Sequence, residues 1–141
     1  MIYPHVIRLA GPWEYEVLRC DANDWTGATS GRTQLPLDCR ELLGASFRGL
    51  VTFRRRFNRP TNLDPQEAVW LVIEADESRG EIGLNGNLLG DLPGNAGLAE
   101  LDVATALELH NELTIRADQS VSIAGVRLEI RRRLPLPTSV E

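Results

Sequence analysis

Short segments in which apolar and polar residues alternate constrain this chain more than any other feature of its sequence. The clearest are residues 113–117 and 126–131, and residues 13–18 and 49–57 repeat the pattern. Successive side chains of an extended strand point to opposite faces, so each segment predicts a strand with one buried face. We expect about eight or nine such strands, with one or two short helical turns.

Two further segments favour an all-β fold. Residues 68–75 are almost continuously apolar, which is typical of a central strand covered on both faces. Asn85-Gly86 lies between two apolar pairs and predicts a two-residue hairpin, because both residues tolerate the positive φ of a type I′ turn. With helical turns expected only at residues 40–43 and 104–109, the pattern predicts one β-sandwich of Greek-key or jelly-roll type over residues 1–141, ending in a loose tail at residues 134–141.

Composition excludes several classes of protein. The 141 residues are 43% hydrophobic and 25% charged, which is ordinary for a soluble globular domain. The net charge of -5 argues against general binding to nucleic acid or to anionic membranes. Residues 1–13 do not resemble a secretion signal, and no apolar segment is long enough to span a bilayer. We therefore expect a soluble, cytoplasmic protein.

The residues offer no catalytic or metal-binding constellation. His5 and His110 lie far apart in sequence, and none of the common hydrolase or nucleotide-binding motifs occurs. The sequence therefore predicts a protein that is not an enzyme and has no cofactor or metal. Asp21, Asn23 and Asp24 could bind calcium, but an unliganded polar turn is favoured. The two cysteines are expected to remain separate thiols rather than to form a disulfide.

Several motifs resemble one known family. Residues 49–57, GLVTFRRRF, followed by Pro60, resemble G-x-x-x-Y-R-R-x-F-x-x-P, and residues 82–90, IGLNGNLLG, resemble V-x-L-N-G-x-x-x-G. Gly11-Pro12-Trp13 and the LDV and HNEL segments, at residues 101–103 and 110–113, also fit. All of these are similar to the sugar-binding domain that opens the glycoside hydrolases of family 2, which include β-galactosidases, β-glucuronidases and β-mannosidases.

The resemblance covers residues 9–130 and implies a galactose-binding-like jelly roll. It implies a scaffold without catalysis, because the catalytic carboxylates of those enzymes lie in a separate barrel domain. The loop at residues 91–97 departs from the family pattern, which usually has a longer, glycine-rich loop with aromatic residues here. Asp102 is expected to cap the turn that follows it, and Asn111 to bond backbone groups at the start of its strand.

A sugar site needs an aromatic ring against the apolar face of the sugar and polar groups on its hydroxyls. Trp25, in a polar loop beside Asp24, is the best candidate, although it could instead fold back as a lid on the core. Asn95 and His110 could line a cleft on the loop side. The other two tryptophans, Trp13 and Trp70, are expected in the core.

Two functions remain open. The first is a stand-alone, non-catalytic carbohydrate-binding module, acting alone or beside an enzyme. The second is a structural or interaction module with no sugar site, which binds a protein or forms homo-oligomers. A basic patch of arginines for phosphate or acidic polysaccharide is less favoured than ordinary solvation of the strands. Arg55 stands apart from these arginines, because it lies on the apolar face of its strand and needs a carboxylate or the edge of the core. The arginines of the basic-patch hypothesis are Arg54, Arg56, Arg59, Arg131, Arg132 and Arg133.

Overall fold

The computed structural model describes residues 2–76, 79–95 and 97–133, so the predicted tail at 134–141 lies outside the described residues. Within them it contains eleven strands and one short helix, rather than eight or nine strands. The elements are β1 His5–Arg8, β2 Trp13–Cys20, β3 Ser30–Thr33, β4 Leu37–Asp38, α1 Cys39–Leu43, β5 Gly49–Asn58, β6 Glu67–Ala75, β7 Gly80–Leu84, β8 Asn87–Asp91, β9 Gly97–Asp102, β10 His110–Asp118 and β11 Ser122–Arg132.

The strands form two sheets, and every described pair is antiparallel. One sheet has the order β1-β11-β6-β9, with β4 beside β11, and the other has the order β3-β2-β5-β10-β7-β8. The predicted all-β sandwich is therefore confirmed, while the jelly-roll type stays a prediction. Strand β3 was not predicted because its residues, SGRT, carry no apolar side chain. Pairing with β2 alone holds it at the edge of the sheet.

The core lies between the two sheets. On β6, Val69, Leu71 and Ile73 point inward, and Leu113 and Ile115 of β10 are on the facing layer; each side chain is at most 1% exposed. These residues stand at alternate positions, as the period-two pattern predicts. The prediction for Trp13 is confirmed as well: its ring is fully buried, and its indole N–H donates to the Leu9 carbonyl at 2.8 Å.

The prediction that Trp70 lies in the core is wrong. Trp70 pairs with Glu129 across β6 and β11 and therefore shares its outward face, whereas Leu71 and its partner Leu128 point inward. Its half-buried ring lies under the guanidinium of Arg131, 4.7 Å from the ring centroid. No second layer of the described residues covers this face. The continuous apolar run of β6 reflects burial of its outward residues beneath long side chains of the same sheet.

The β7–β8 hairpin confirms the predicted Asn85-Gly86 turn. Both residues have positive φ, 53° and 84°, as a type I′ turn requires. The pairing register shifts between Ile82 and Gly83, so a bulge lies beside Gly90. A glycine is also required at Gly49, where an added Cβ would lie 1.9 Å from the Arg19 carbonyl oxygen. These positions of the family-like motifs thus have structural roles.

Helix α1 begins where the Asp38 side chain accepts a hydrogen bond from the Arg40 backbone N–H, at 2.8 Å. It buries Cys39, and burial, followed by the carboxylates of Asp38 and Asp118, raises the pKa of this thiol to about 11. Cys20 is a separate, half-buried thiol. None of the helices in the described part of the chain is long and apolar enough to cross a membrane.

The arginines of the less favoured basic-patch hypothesis do not form one surface. Arg54 and Arg56 point outward from the six-stranded sheet and pair with Glu16 at 3.3 Å and Glu112 at 3.5 Å. Arg131 points outward from the other sheet, on the opposite side of the sandwich. These arginines are mostly compensated locally, as expected for residues that solvate strands.

An outer ion network on the five-stranded sheet is centred on Glu129, which is 7% exposed. Its carboxylate accepts hydrogen bonds from Arg127 at 2.6 Å and Arg131 at 3.0 Å, and Arg131 also reaches Glu100 at 2.5 Å. Burial acts to raise the pKa of Glu129, but the two arginine hydrogen bonds outweigh it, and the pKa is lowered overall. The ionised form is therefore the one that the folded state stabilises.

This lowered pKa predicts a pH dependence of stability. A carboxyl group whose pKa is depressed by folding stabilises the protein above its unfolded value of about 4.3, and the stabilisation is lost as the pH falls through the folded pKa. We expect Glu129→Gln to be less stable than wild type at pH 7, with the difference shrinking towards pH 3. Urea unfolding at a series of pH values measures it. Glu14→Gln, at an exposed position with no ion pair to the described residues, is the control for loss of one charge. A difference that does not change with pH would contradict the assignment.

Candidate functional site

The four predicted ligand-binding residues do not form one site. Strand β5 has ten residues and is therefore about 30 Å long. Trp25 and Asp24 follow Cys20, which pairs with the first residue of β5, whereas His110 pairs with Asn58 at its far end. Asn95 is exposed in the β8–β9 loop, at the end of the six-stranded sheet where β7 and β10 lie beside the beginning of β5. His110 is thus separated from the other three by the length of the sandwich.

Trp25 folds back onto the core, which confirms the lid alternative. Its half-buried ring meets Phe47 edge to face, with ring centroids 5.3 Å apart, and its indole N–H donates to the Leu43 carbonyl at 2.7 Å. The neighbouring Asp21 pairs with Arg19 at 3.1 Å, and Asp24 is exposed. No group of three or more His, Cys, Asp or Glu side chains in the described residues could hold a metal ion.

His110 lines a cleft at one end of the sandwich. Its Nδ1 lies 2.9 Å from the Asn58 side-chain oxygen, and both residues are exposed. The cleft has a volume of about 700 Å³ and opens between the two sheets at the Asn58 end of β5. We call it the inter-sheet cleft. Its lining residues are Ile7, Arg8, Leu9, Arg55, Arg56, Phe57, Asn58, Asn85, His110, Asn111, Glu112 and Leu128.

The inter-sheet cleft combines an apolar floor with a polar wall. Ile7 and Leu128 reach it from the five-stranded sheet, and Phe57 reaches it from the six-stranded sheet. These side chains pack against the core cluster or belong to it. The polar wall comes from β5 and β10, where amide, imidazole and guanidinium groups face the opening. The volume falls within the usual range for small-ligand sites, about 300–1,000 Å³.

Asn85 and Asn111 frame this end of the sandwich. The Asn111 side-chain oxygen accepts from the Glu108 N–H at 2.8 Å, and its amide donates to the Glu108 carbonyl at 2.9 Å. The Asn85 amide donates to Asn111 at 3.0 Å, and the Asn85 oxygen accepts from the Glu112 N–H at 2.9 Å. We call these two residues the asparagine pair. The predicted role of Asn111 at the start of its strand is confirmed.

The turn held by the asparagine pair is the one that Asp102 was expected to cap. The Asp102 carboxylate accepts a hydrogen bond from the Ala104 N–H at 3.0 Å, which confirms this prediction. The Leu107 N–H then donates to the Val103 carbonyl at 3.1 Å, so the segment makes one helical turn before β10. The cleft wall therefore rests on a backbone fixed at both ends of this turn.

Sequence reasoning found His110 but missed the remainder of the cleft. Phe57 and Arg55 were assigned to the apolar face of β5, which is correct, since both lie inward. The sequence did contain a signal that Arg55 could belong to a site, because a charged guanidinium on an apolar strand face needs a partner or an opening. The contribution of Ile7 and Leu128 had no such signal, since it depends on how the second sheet is positioned.

Fold and cleft together define an all-β sandwich with a ligand-sized opening between its sheets. No protein-family model and no curated protein matches the sequence. Similar solved structures include several β-glucuronidases. That of Bifidobacterium dentium, bound to coumarin-3-O-glucuronide, has a TM-score of 0.72 and 18% identity, over 94% of this chain and 30% of that one. The enzyme of Faecalibacterium prausnitzii has a TM-score of 0.73 and 14% identity, over 94% and 32%.

A β-glucuronidase from glycoside hydrolase family 2 also matches, with a TM-score of 0.71 and 13% identity, over 92% of this chain and 18% of that one. At these identities the likeness shows the fold alone. The chain spans about a third or less of the length of these enzymes. Its fold is therefore that of one domain found in family 2 glycosidases.

The asparagine pair generates a prediction about stability. Asn111→Ala removes a buried side chain and, with it, the partners of the partly buried Glu108 N–H and carbonyl groups and of the Asn85 amide. We expect the free energy of unfolding to fall by about 3 kcal/mol, because each buried polar group without a partner costs about 1–3 kcal/mol. Chemical denaturation measures it. Asn87→Ala, at an exposed position of the β7–β8 hairpin, is the control and should change stability by less than about 0.5 kcal/mol. If the two substitutions lowered the free energy of unfolding equally, the asparagine pair would not be what stabilises this end of the sandwich.

Proposed function

We propose that this protein is a non-catalytic carbohydrate-binding module and that the inter-sheet cleft is its binding site. The observation that carries the proposal is the composition of the cleft. An apolar floor that includes the ring of Phe57 lies beside amide, imidazole and guanidinium groups. Pyranose sugars have the matching chemistry, because they have apolar C–H faces and a periphery of hydroxyl groups that need hydrogen-bond partners.

The fold supports the same class of ligand. The solved structures that share it include β-glucuronidases, and one of these was determined with a glucuronide. This chain matches only one domain of such enzymes, and a fold alone does not define a function. The likeness is therefore supporting evidence, and the residues of the cleft are the primary evidence.

The absence of catalysis is part of the proposal. Glycoside hydrolysis by the common mechanism requires two carboxyl groups, about 5–10 Å apart, on either side of the scissile bond. Among the described residues that line the cleft, Glu112 is the single acidic one, and it pairs with Arg56 at 3.5 Å. Binding without bond cleavage is the function that such a lining supports.

A second candidate is an interaction module, which the outward face of the five-stranded sheet supports. Val6 and Leu98 are 41% and 47% exposed there, and Trp70 lies half-buried between their strands. Apolar side chains of this size on a sheet face can be covered by a partner or a second copy. The partner in this alternative is a protein, and the cleft would have no ligand.

Variants at opposite ends of the sandwich test the proposed site. We expect an oligosaccharide found on a glycan array to bind with about fivefold lower affinity to His110→Ala or Asn58→Ala, because each change removes about 1 kcal/mol of hydrogen bonding. Asp24→Ala and Asn95→Ala are matched controls at the other end and should bind like wild type. Isothermal titration measures the affinities.

Each other outcome of this experiment has a definite meaning. Loss of binding in the Asp24 and Asn95 variants alone would move the site to the other end of the sandwich. An array with no bound glycan would contradict the carbohydrate function. In that case, a dimer in light scattering that Leu98→Arg converts to monomer would support the interaction module.

A further inference from the structure

Arg55 differs from its neighbours on β5. Strand alternation directs Arg54 and Arg56 outward, where each pairs with a carboxylate. Arg55 pairs in register with Leu113, a fully buried core residue, and therefore points between the sheets. It reaches the wall of the inter-sheet cleft, and the three consecutive arginines thus have two different environments.

The guanidinium of Arg55 is incompletely satisfied. Its Nη1 donates to the Arg56 backbone carbonyl, but its Nε is buried and has no hydrogen-bond partner in the described structure. No carboxylate of the described residues forms an ion pair with it. A buried donor without a partner destabilises the folded state, and more so when it belongs to a charged group. An anion in the cleft would supply the opposite charge that this guanidinium lacks among the described residues.

The charges around the cleft also favour an anion. Three arginines line it, Arg8, Arg55 and Arg56, against the single carboxylate of Glu112, which Arg56 already holds. Arg8 forms no ion pair with the described residues; it pairs in register with Arg127 on the outward face of the five-stranded sheet and also lines the cleft. The cleft therefore carries a local positive charge on a chain whose net charge is -5. A cleft lined by charge of one sign concentrates ligands of the opposite sign.

The structure assigns Arg55 as the anchor for the carboxylate of an acidic sugar, so that the module binds a uronic-acid residue in the inter-sheet cleft. This inference rests on the proposed carbohydrate function. A guanidinium matches a carboxylate in shape and presents paired N–H donors to it. A uronate brings one negative charge to a guanidinium that points between the sheets and forms no ion pair with a carboxylate of the described residues. The ring of the uronate would then pack on the apolar floor of the cleft, and its hydroxyl groups would bond the amide groups of the wall.

A pair of ligands and a pair of variants test this inference. Disaccharides of one linkage that end in glucuronic acid or in glucose differ only in the carboxylate. We expect wild type to bind the acidic form about tenfold or more tightly than the neutral one, as for a hydrogen bond between charged groups. Arg55→Met keeps the length of the side chain and should lose this preference. Arg54→Met, the neighbouring outward arginine, should retain it.

Controls separate a binding effect from a folding effect and identify the anion. Arg55→Met should unfold at the same temperature as wild type or higher, because it removes an unsatisfied buried donor. A glucose disaccharide with a sulfate ester, and inorganic sulfate alone, distinguish a sugar carboxylate from other anions. Binding by the sulfated forms alone would overturn the assignment to a uronate.

The remaining outcomes distinguish this inference from the proposed function. Equal affinity for the acidic and neutral disaccharides, unchanged in Arg55→Met, would overturn the role of Arg55 and leave the carbohydrate function in place. If no disaccharide or glycan binds to any variant, both the function and the inference are wrong. If Arg54→Met and Arg55→Met lost the preference for the acidic disaccharide equally, the preference would come from the overall positive charge. That result would overturn the role of Arg55 as the anchor.

Discussion

Burial of one face of each sheet against the other is the constraint on which this structure depends. A strand can contribute to that interface only through every second residue, so alternation along the sequence becomes the layering of the sandwich. Val69, Leu71 and Ile73 of β6 illustrate this, since they are inward neighbours on a strand whose other residues face out. Any polar residue at an inward position must then be explained by a partner or by an opening.

Arg55 is the residue that breaks the inward pattern of β5, and it does so at the position where the sheets separate. Phe57, the next inward residue, is still apolar but only half-buried. Core packing thus ends within β5, and the inter-sheet cleft begins there. The same alternation that builds the core brings a guanidinium into the cleft, so the departure from the pattern and the candidate site have one origin.

The asparagine pair completes this end of the sandwich. Asn111 holds the turn before β10, and Asn85 ties that turn to the β7–β8 hairpin. Both amides use donors and acceptors together, which a carboxylate or a hydroxyl could not do in the same geometry. A rigid backbone around the opening fixes the side chains of the wall, and fixed polar groups lose less entropy when a ligand binds.

How much could be predicted from the sequence depended on the range of the interactions. Strands β5, β10 and β11, the Asn85-Gly86 turn and the cap at Asp102 follow from local alternation or backbone preference, and all were predicted. Strand β3 was missed because pairing with β2, rather than its own residues, makes it a strand. Trp70 was assigned to the wrong face because an apolar run does not reveal which of its two faces has a covering layer.

The candidate site divides in the same way. The sequence by itself determined which residues of β5 share a face, and therefore that Arg55 would point away from Arg54 and Arg56. Only the tertiary structure decided that His110 and Trp25 lie at opposite ends of β5, a strand about 30 Å long. It also decided that Ile7 and Leu128 lie across a cleft from Phe57. The physical reason is that the face to which a side chain points follows from its position along its own strand. The shape of a cleft depends instead on how far apart two sheets lie, and each sheet is built from segments that are distant in the sequence.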